Sequence, residues 1–254
     1  MTQPIFRRVQ KRNPHQLVID QHVHAAHCIK KFEDENGTVS VFDKSSSQWL
    51  KRKPNASIFC AKRAWDQRAE KGFMNDIERN YFQVIDNIDV PFNERNHNAI
   101  TYYYHLWRLR GAARVAERRD WRLKGVMLER ELTQDAEEML ESHGVLCLTE
   151  NGELSSHRVN GLQIQRSLDE CMAIDGTITW GLVTAKKGEF IVSDFYPGDS
   201  EGLAPFIPVS PKHVFYARKS DVSVGVGSVR NFNRVTLRNS QMYYFCKDIR
   251  NCPF

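Results

Sequence analysis

The chain has 254 residues, of which 41% are hydrophobic and 26% charged; that is enough to bury a core unaided and too hydrophobic for a disordered chain. Its net charge of +5 permits binding to a polyanion without demanding it. No apolar run approaches the roughly 20 residues of a membrane-spanning helix, and the basic N-terminus MTQPIFRRVQKRNPHQ lacks a secretory apolar stretch, so a cytoplasmic protein with no membrane partner is expected.

Residues 1–14, carrying Arg7, Arg8, Lys11 and Arg12, read as a basic arm able to move ahead of one domain over 15–254. The segment DQHVHAAHCIKKF, Asp20–Phe32, then concentrates three histidines and a cysteine. His22 and His24 share a face if it is extended, whereas a helix would group His24 with His27 and Cys28; no regular structure presents all four together. Alternation in TVSVF, Thr38–Phe42, predicts a strand, Asp43–Ser47 a turn, and Gln48–Lys51 the returning strand of a hairpin.

Over 73–88 the apolar residues Phe73, Ile77, Tyr81, Val84 and Ile88 recur at helical spacing. A second helix is predicted from about Asn98 to Arg119, with Ile100, Tyr103, Tyr104 and Trp107 inward. A third, acidic one covers roughly Lys124–Ser142 and stops at Gly144, a residue suited to the left-handed conformation that ends helices. Beyond it strands dominate: Val145–Leu148, a turn at Asn151-Gly152, Ile178–Leu182, Glu189–Ser193 and Phe206–Ala217. A short helix is expected between Gly161 and Ile174, another over Asn231–Asn239, and a last strand near Tyr243–Cys246. An N-terminal β-hairpin, a helical middle and a C-terminal antiparallel sheet define an α+β class. The six cysteines have no C-x-x-C spacing and read as reduced, mostly buried thiols rather than a disulfide framework or a four-cysteine zinc site.

Several separated segments form an ordered pattern. His22-Val23 is followed by Phe32, by G-x-V-x-V-x-D over Gly37–Asp43, by Ile77-Glu78 on one helix and by Arg110 and Arg114 on the next. W-x-L at Trp180–Leu182, FIVSD at Phe190–Asp194, IPVSP at Ile207–Pro211 and the pair Asn231 and Asn233 complete it. From about residue 20 to 246 the chain resembles the bacterial domain-of-unknown-function family 4238. The resemblance implies a bacterial protein and marks signature positions; the family brings no established activity with it. The chain departs from the family where a proline usually follows two residues after the histidine, here His24, and where S-D-x-P is stretched to Ser193-Asp194-Phe195-Tyr196-Pro197.

These residues support alternative roles. His22 suits a general acid or base acting without a metal, or a histidine that orders the first strand by bonding backbone. Asp194, at a strand end, suits activation of that histidine, Mg²⁺ binding, or a turn-forming carboxylate. Glu78, beside an apolar stripe, needs a partner, Arg110 or Arg114, or else acts as a catalytic carboxylate. Arg110, Arg114 and Arg118 recur at i, i+4 and i+8, a stripe able to track a phosphate backbone or to remain a solvated face. Asn233 with Asn231 could read a base edge if extended, although a helix cap is the better expectation. No dinucleotide loop, phosphate-binding loop or nucleophile elbow is present.

Two functional readings result. The first is a phosphodiester-cleaving enzyme directed at RNA, with His22 and Asp194 (and Glu78) catalytic, Arg110, Arg114, Arg118 and Asn233 holding substrate, and Mg²⁺ as the one metal to test. The second is a non-enzymatic module that binds RNA, DNA or an acidic protein.

Overall fold

In the computed structural model, residues 8–117, 119–126, 132–149, 151–195 and 204–254 are described. The expected Asp20–Phe32 segment divides into two elements: strand β1 (Asp20–His22) and a short helix α1 (Ala26–Lys30). β2 (Val39–Asp43) and β3 (Gln48–Arg52) form the predicted hairpin, whose turn is held by the Asp43 carboxylate accepting from the Ser45 N–H at 2.9 Å and from its hydroxyl at 2.7 Å. β4 (Cys60–Lys62) returns antiparallel to β1.

The first long helix is interrupted where the sequence pattern was continuous. A three-residue α2 (Gln67–Ala69) runs into a π-helical stretch, Glu70–Met74, and then α3 (Asn75–Asp86), because Gly72 adopts non-helical angles. α4 (His97–Val115) begins at Asn96, whose side-chain oxygen accepts the Ala99 N–H at 3.1 Å. It packs against α3 and against the later helix over Ser156–Asp175. Ile100, Tyr103, Tyr104 and Trp107 are buried as predicted, but so are Arg110 and Arg114, at 2% and 3% exposure. The solvated basic stripe is therefore corrected: a helix enclosed on several sides has no wet face for those guanidinium groups. Arg118 lies outside the described residues.

Residues 127–131 of the expected third helix lie outside the described residues. Residues 121–122 form a strand, β5 (Trp121–Arg122), and the helix α5 (Gln134–Ser142) begins only after Thr133, whose hydroxyl accepts the Ala136 N–H at 3.2 Å. Gly144 takes the expected left-handed angle, φ +77°. No strand forms over 145–148; β6 (Glu153–Leu154) pairs with β5. α6 (Ser156–Asp175) is a turn longer at its start than predicted. The chain continues through β7 (Trp180–Ala185), β8 (Val192–Ser193), β9 (Phe206–Ser210), β10 (His213–Ala217), β11 (Val222–Val224), α7 (Val226–Asn239) and β12 (Tyr243–Cys246).

The architecture is α+β. One four-stranded sheet has the order β3-β2-β12-β8 and is antiparallel throughout. The other has the order β11-β7-β10-β9, with β11 parallel to β7, so the C-terminal strands do not form one antiparallel sheet. β8 and β12 instead join the N-terminal hairpin. One continuous core spans both sheets and α4, with Val41, Phe59, Trp65, Trp107, Trp180 and Phe245 fully or almost fully buried. Residues 8–15 lie on α5, where the Gln10 N–H donates to Glu138 at 2.9 Å and His15 meets Asp135 at 2.8 Å. Five of the six cysteines are buried and Cys171 is half-buried.

Candidate functional site

β12 alternates, so Tyr243 and Phe245 point inward while Tyr244 stacks on Phe42 across the outer face, with ring centroids 5.1 Å apart. Above Tyr243 sits the last turn of α4. The Arg114 guanidinium carbon lies 5.2 Å from the Tyr243 ring centroid, and Nη2 donates to the Ile58 carbonyl at 2.9 Å. Nε and Nη1, although buried, make no hydrogen bond of good geometry; the Tyr243 hydroxyl is their side-chain neighbour and is likewise without a well-formed bond. A buried cation with two donors so poorly engaged carries a substantial desolvation cost unless something else satisfies it.

A cleft of about 600 Å³ opens at this point, with Arg114 and Tyr243 in its lining. Lys44, Arg52 and Lys62 add three more cations, against one lining carboxylate, Asp43. Asp43 is engaged by Ser45, which holds its pKa below the ordinary value. Lys44 donates to the Ser240 carbonyl and Lys62 pairs with Asp20, while Arg52, exposed on the edge strand β3, donates to the Lys51 carbonyl at 3.0 Å. The result is a positive concavity with an underused guanidinium at its base, the geometry in which a phosphate or carboxylate gains charge-assisted hydrogen bonds.

Asp194 lies beside this base, but its carboxylate faces backbone. Its oxygens accept the N–H groups of Gln241 and Met242, each at 2.8 Å, and so fix the loop leading into β12. Burial raises its pKa; the hydrogen bonds from Met242 and Gln241 and the charge of Arg114 oppose that without reversing it. His22, half-buried, has Nε2 3.1 Å from the Pro54 carbonyl, the backbone-ordering arrangement. Nε2 of His22 and the Asp194 carboxylate thus bond different stretches of main chain, and the two side chains make no hydrogen bond to each other.

The other histidines of that segment diverge. Nδ1 of His24 lies 3.0 Å from the Tyr103 hydroxyl, and its ring is 4.8 Å from Trp107; His27 meets Asp86 at 2.8 Å and stacks on Phe82. Glu78 takes the ion-pair role: it bonds Arg110, which also has Glu70 at 3.7 Å and Trp65 under its guanidinium at 5.3 Å. Arg110 is therefore committed inside the protein, away from any substrate.

Asn233 is corrected on both expectations. It lies inside α7, which starts after Gly225, so it caps nothing, and it is buried away from solvent. Its amide oxygen accepts the Ile191 N–H at 3.1 Å, while Nδ2 donates to the carbonyls of Glu189 at 2.9 Å and Pro253 at 3.0 Å. That amide staples three chain segments.

Of the residues singled out from sequence, Arg114 and Asp194 come together; Glu78 and Arg110 form a separate pair. Lys44, Arg52, Lys62 and Tyr243 were missed. The cleft draws on residues 43–62, 114 and 241–243, and no local pattern joins segments so far apart. A second buried ionic group was equally silent: Glu141 on α5 meets Arg63 at 2.5 Å, His157 at 3.1 Å and Arg158 at 3.6 Å. No helix among the described residues is long and apolar enough to cross a membrane. No family profile, curated protein or solved structure matches the chain.

Proposed function

We propose that this protein is a non-enzymatic binding module that takes a phosphate of a single-stranded nucleic acid, RNA first, into the cleft over Arg114. The observation that carries the reading is the buried Arg114 guanidinium, its Nε and Nη1 without a hydrogen bond of good geometry, at the base of a cleft ringed by Lys44, Arg52 and Lys62. Arginine suits this role because its planar donors match two phosphate oxygens at once. A binding module is favoured over the RNA-cleaving enzyme because His22 and Asp194 are each occupied by main chain, which leaves neither placed to move a proton for the other. The same occupancy argues against Asp194 as a Mg²⁺ ligand.

The test is fluorescence anisotropy with labelled single-stranded RNA and DNA across a salt series. The four cations Arg114, Lys44, Arg52 and Lys62 engaged on a single strand predict a log–log salt slope of about −3. Arg52→Glu, a surface change, should weaken binding without unfolding the protein, and Arg114→Met should abolish it. A flat salt response, or unchanged affinity in both variants, would remove the proposal. Cleavage of RNA by wild type but not by His22→Ala would replace it with the enzyme reading, and loss of that cleavage with chelator would then implicate Mg²⁺.

A further inference from the structure

A second concavity lies on the opposite sheet and rests on different observations. Strand alternation places Gly181 and Val183 of β7 on the same face as Tyr216 of β10, since Gly181 pairs with Tyr216. β11 runs parallel beside β7 with Val222 opposite Val183 and Val224 opposite Ala185, so both valines extend that face to the sheet edge. α7 crosses above, and its Phe232 meets the Tyr216 ring edge-on with centroids 5.4 Å apart. Between helix and sheet edge remains an apolar trough of about 440 Å³.

The mouth exists because of Gly181. A Cβ there would lie 2.4 Å from the Ser220 carbonyl oxygen, so only glycine lets the chain at Lys219–Ser220 pass so close over the strand. That crossing brings Lys219 to the rim, and α7 adds Ser228 and Asn231. Among the described residues Lys219 is the one side chain in the trough's lining that is charged at neutral pH, and no carboxylate lines it. A volume of this size suits a small molecule rather than a protein segment. An apolar floor below a single cation, with a hydroxyl and an amide at hand, is complementary to a short amphipathic anion.

We infer that this trough between α7 and the β11 edge binds a small amphipathic carboxylate, its hydrocarbon body on Val183, Val222, Val224 and Phe232 and its carboxylate at Lys219. The site is separate from the Arg114 cleft, and the two proposals stand or fall independently.

The experiment titrates the full chain with sodium octanoate, 1-octanol and n-octylamine, following thermal unfolding and amide chemical shifts. Octanoate should raise Tm saturably and move the resonances of Val183, Val224 and Phe232. Octanol should bind about tenfold more weakly, the loss expected for one missing charge-assisted contact, and octylamine should not bind. Lys219→Glu should invert the order so that octylamine binds and octanoate does not. Ser228→Trp, an exposed change that covers the trough, should abolish all shifts while leaving RNA binding intact. The inference is overturned by an absence of saturable octanoate binding, by shifts located elsewhere, or by an unchanged preference in Lys219→Glu. Concentration-dependent dimerisation with shifts at the same residues would assign the trough to a second copy of the chain and equally overturn it.

Discussion

The guanidinium of Arg114 rests over the ring of Tyr243 at 5.2 Å, one delivered by the end of the central helix and the other by the strand that pairs with the N-terminal hairpin. The base of the cleft is thus assembled from the helical middle and the C-terminus together. Neither half supplies both groups alone, and the aromatic face gives the cation a favourable cation–π contact.

The first prediction separates the ring from the hydroxyl. Tyr243→Phe keeps the face under Arg114 and should hold nucleic-acid affinity within about twofold of wild type, whereas Tyr243→Leu removes a contact worth about 0.5–2 kcal/mol and should weaken it correspondingly. Anisotropy titrations at one fixed salt concentration decide this. Equal affinities for the two variants would mean that the ring's contact with Arg114 does not contribute to binding.

A second concerns the buried pair that sequence reasoning anticipated. Arg110→Met leaves Glu78 and Glu70 without their cation and should cost about 3–5 kcal/mol in urea unfolding, because a partly buried carboxylate loses its partner. Combining it with Glu78→Leu should recover part of that loss, since the orphaned charge is removed. If the double variant is no more stable than Arg110→Met alone, the two side chains are not energetically coupled.

His24 predicts an acid limb of stability. Burial first, then the positive charge of His22 and Arg110, lowers its pKa from 6.5 to about 3. The unfolded chain therefore takes up the proton before the folded one, and this contribution, intact above pH 6.5, is lost as pH falls toward 3. The loss amounts to about 1.4 kcal/mol for each pH unit in that window. Replacing the imidazole with a ring that cannot titrate, His24→Phe, should flatten the dependence of unfolding free energy on pH between 6.5 and 3. An identical slope in wild type and variant would show that other groups carry it.

Legibility followed the range of the interactions. The hairpin over 39–52 was readable because strand alternation and the Asp43–Ser47 turn are local, and so were the apolar faces of the helices containing Tyr81 and Tyr103. The π-helical stretch at Gly72 was not, since a single glycine in a helical pattern carries no mark of the angles it adopts. Asn233 shows the same limit: its three bonds run to residues 42, 44 and 20 positions away, and no local rule relates them.

What the amino-acid sequence by itself determined was the α+β class, most of the helices and strands, the partnership of Glu78 with an arginine, and Arg114 and Asp194 as positions of interest. The tertiary structure alone decided which way those polar groups face. Enclosing α4 turned Arg110 and Arg114 inward, the main chain absorbed His22 and Asp194, and the hairpin and β12 raised Lys44, Arg52 and Tyr243 around one guanidinium. Periodicity records which side of an element is apolar, whereas a site depends on what the remaining donors and acceptors find across the fold, and that is set by long-range packing.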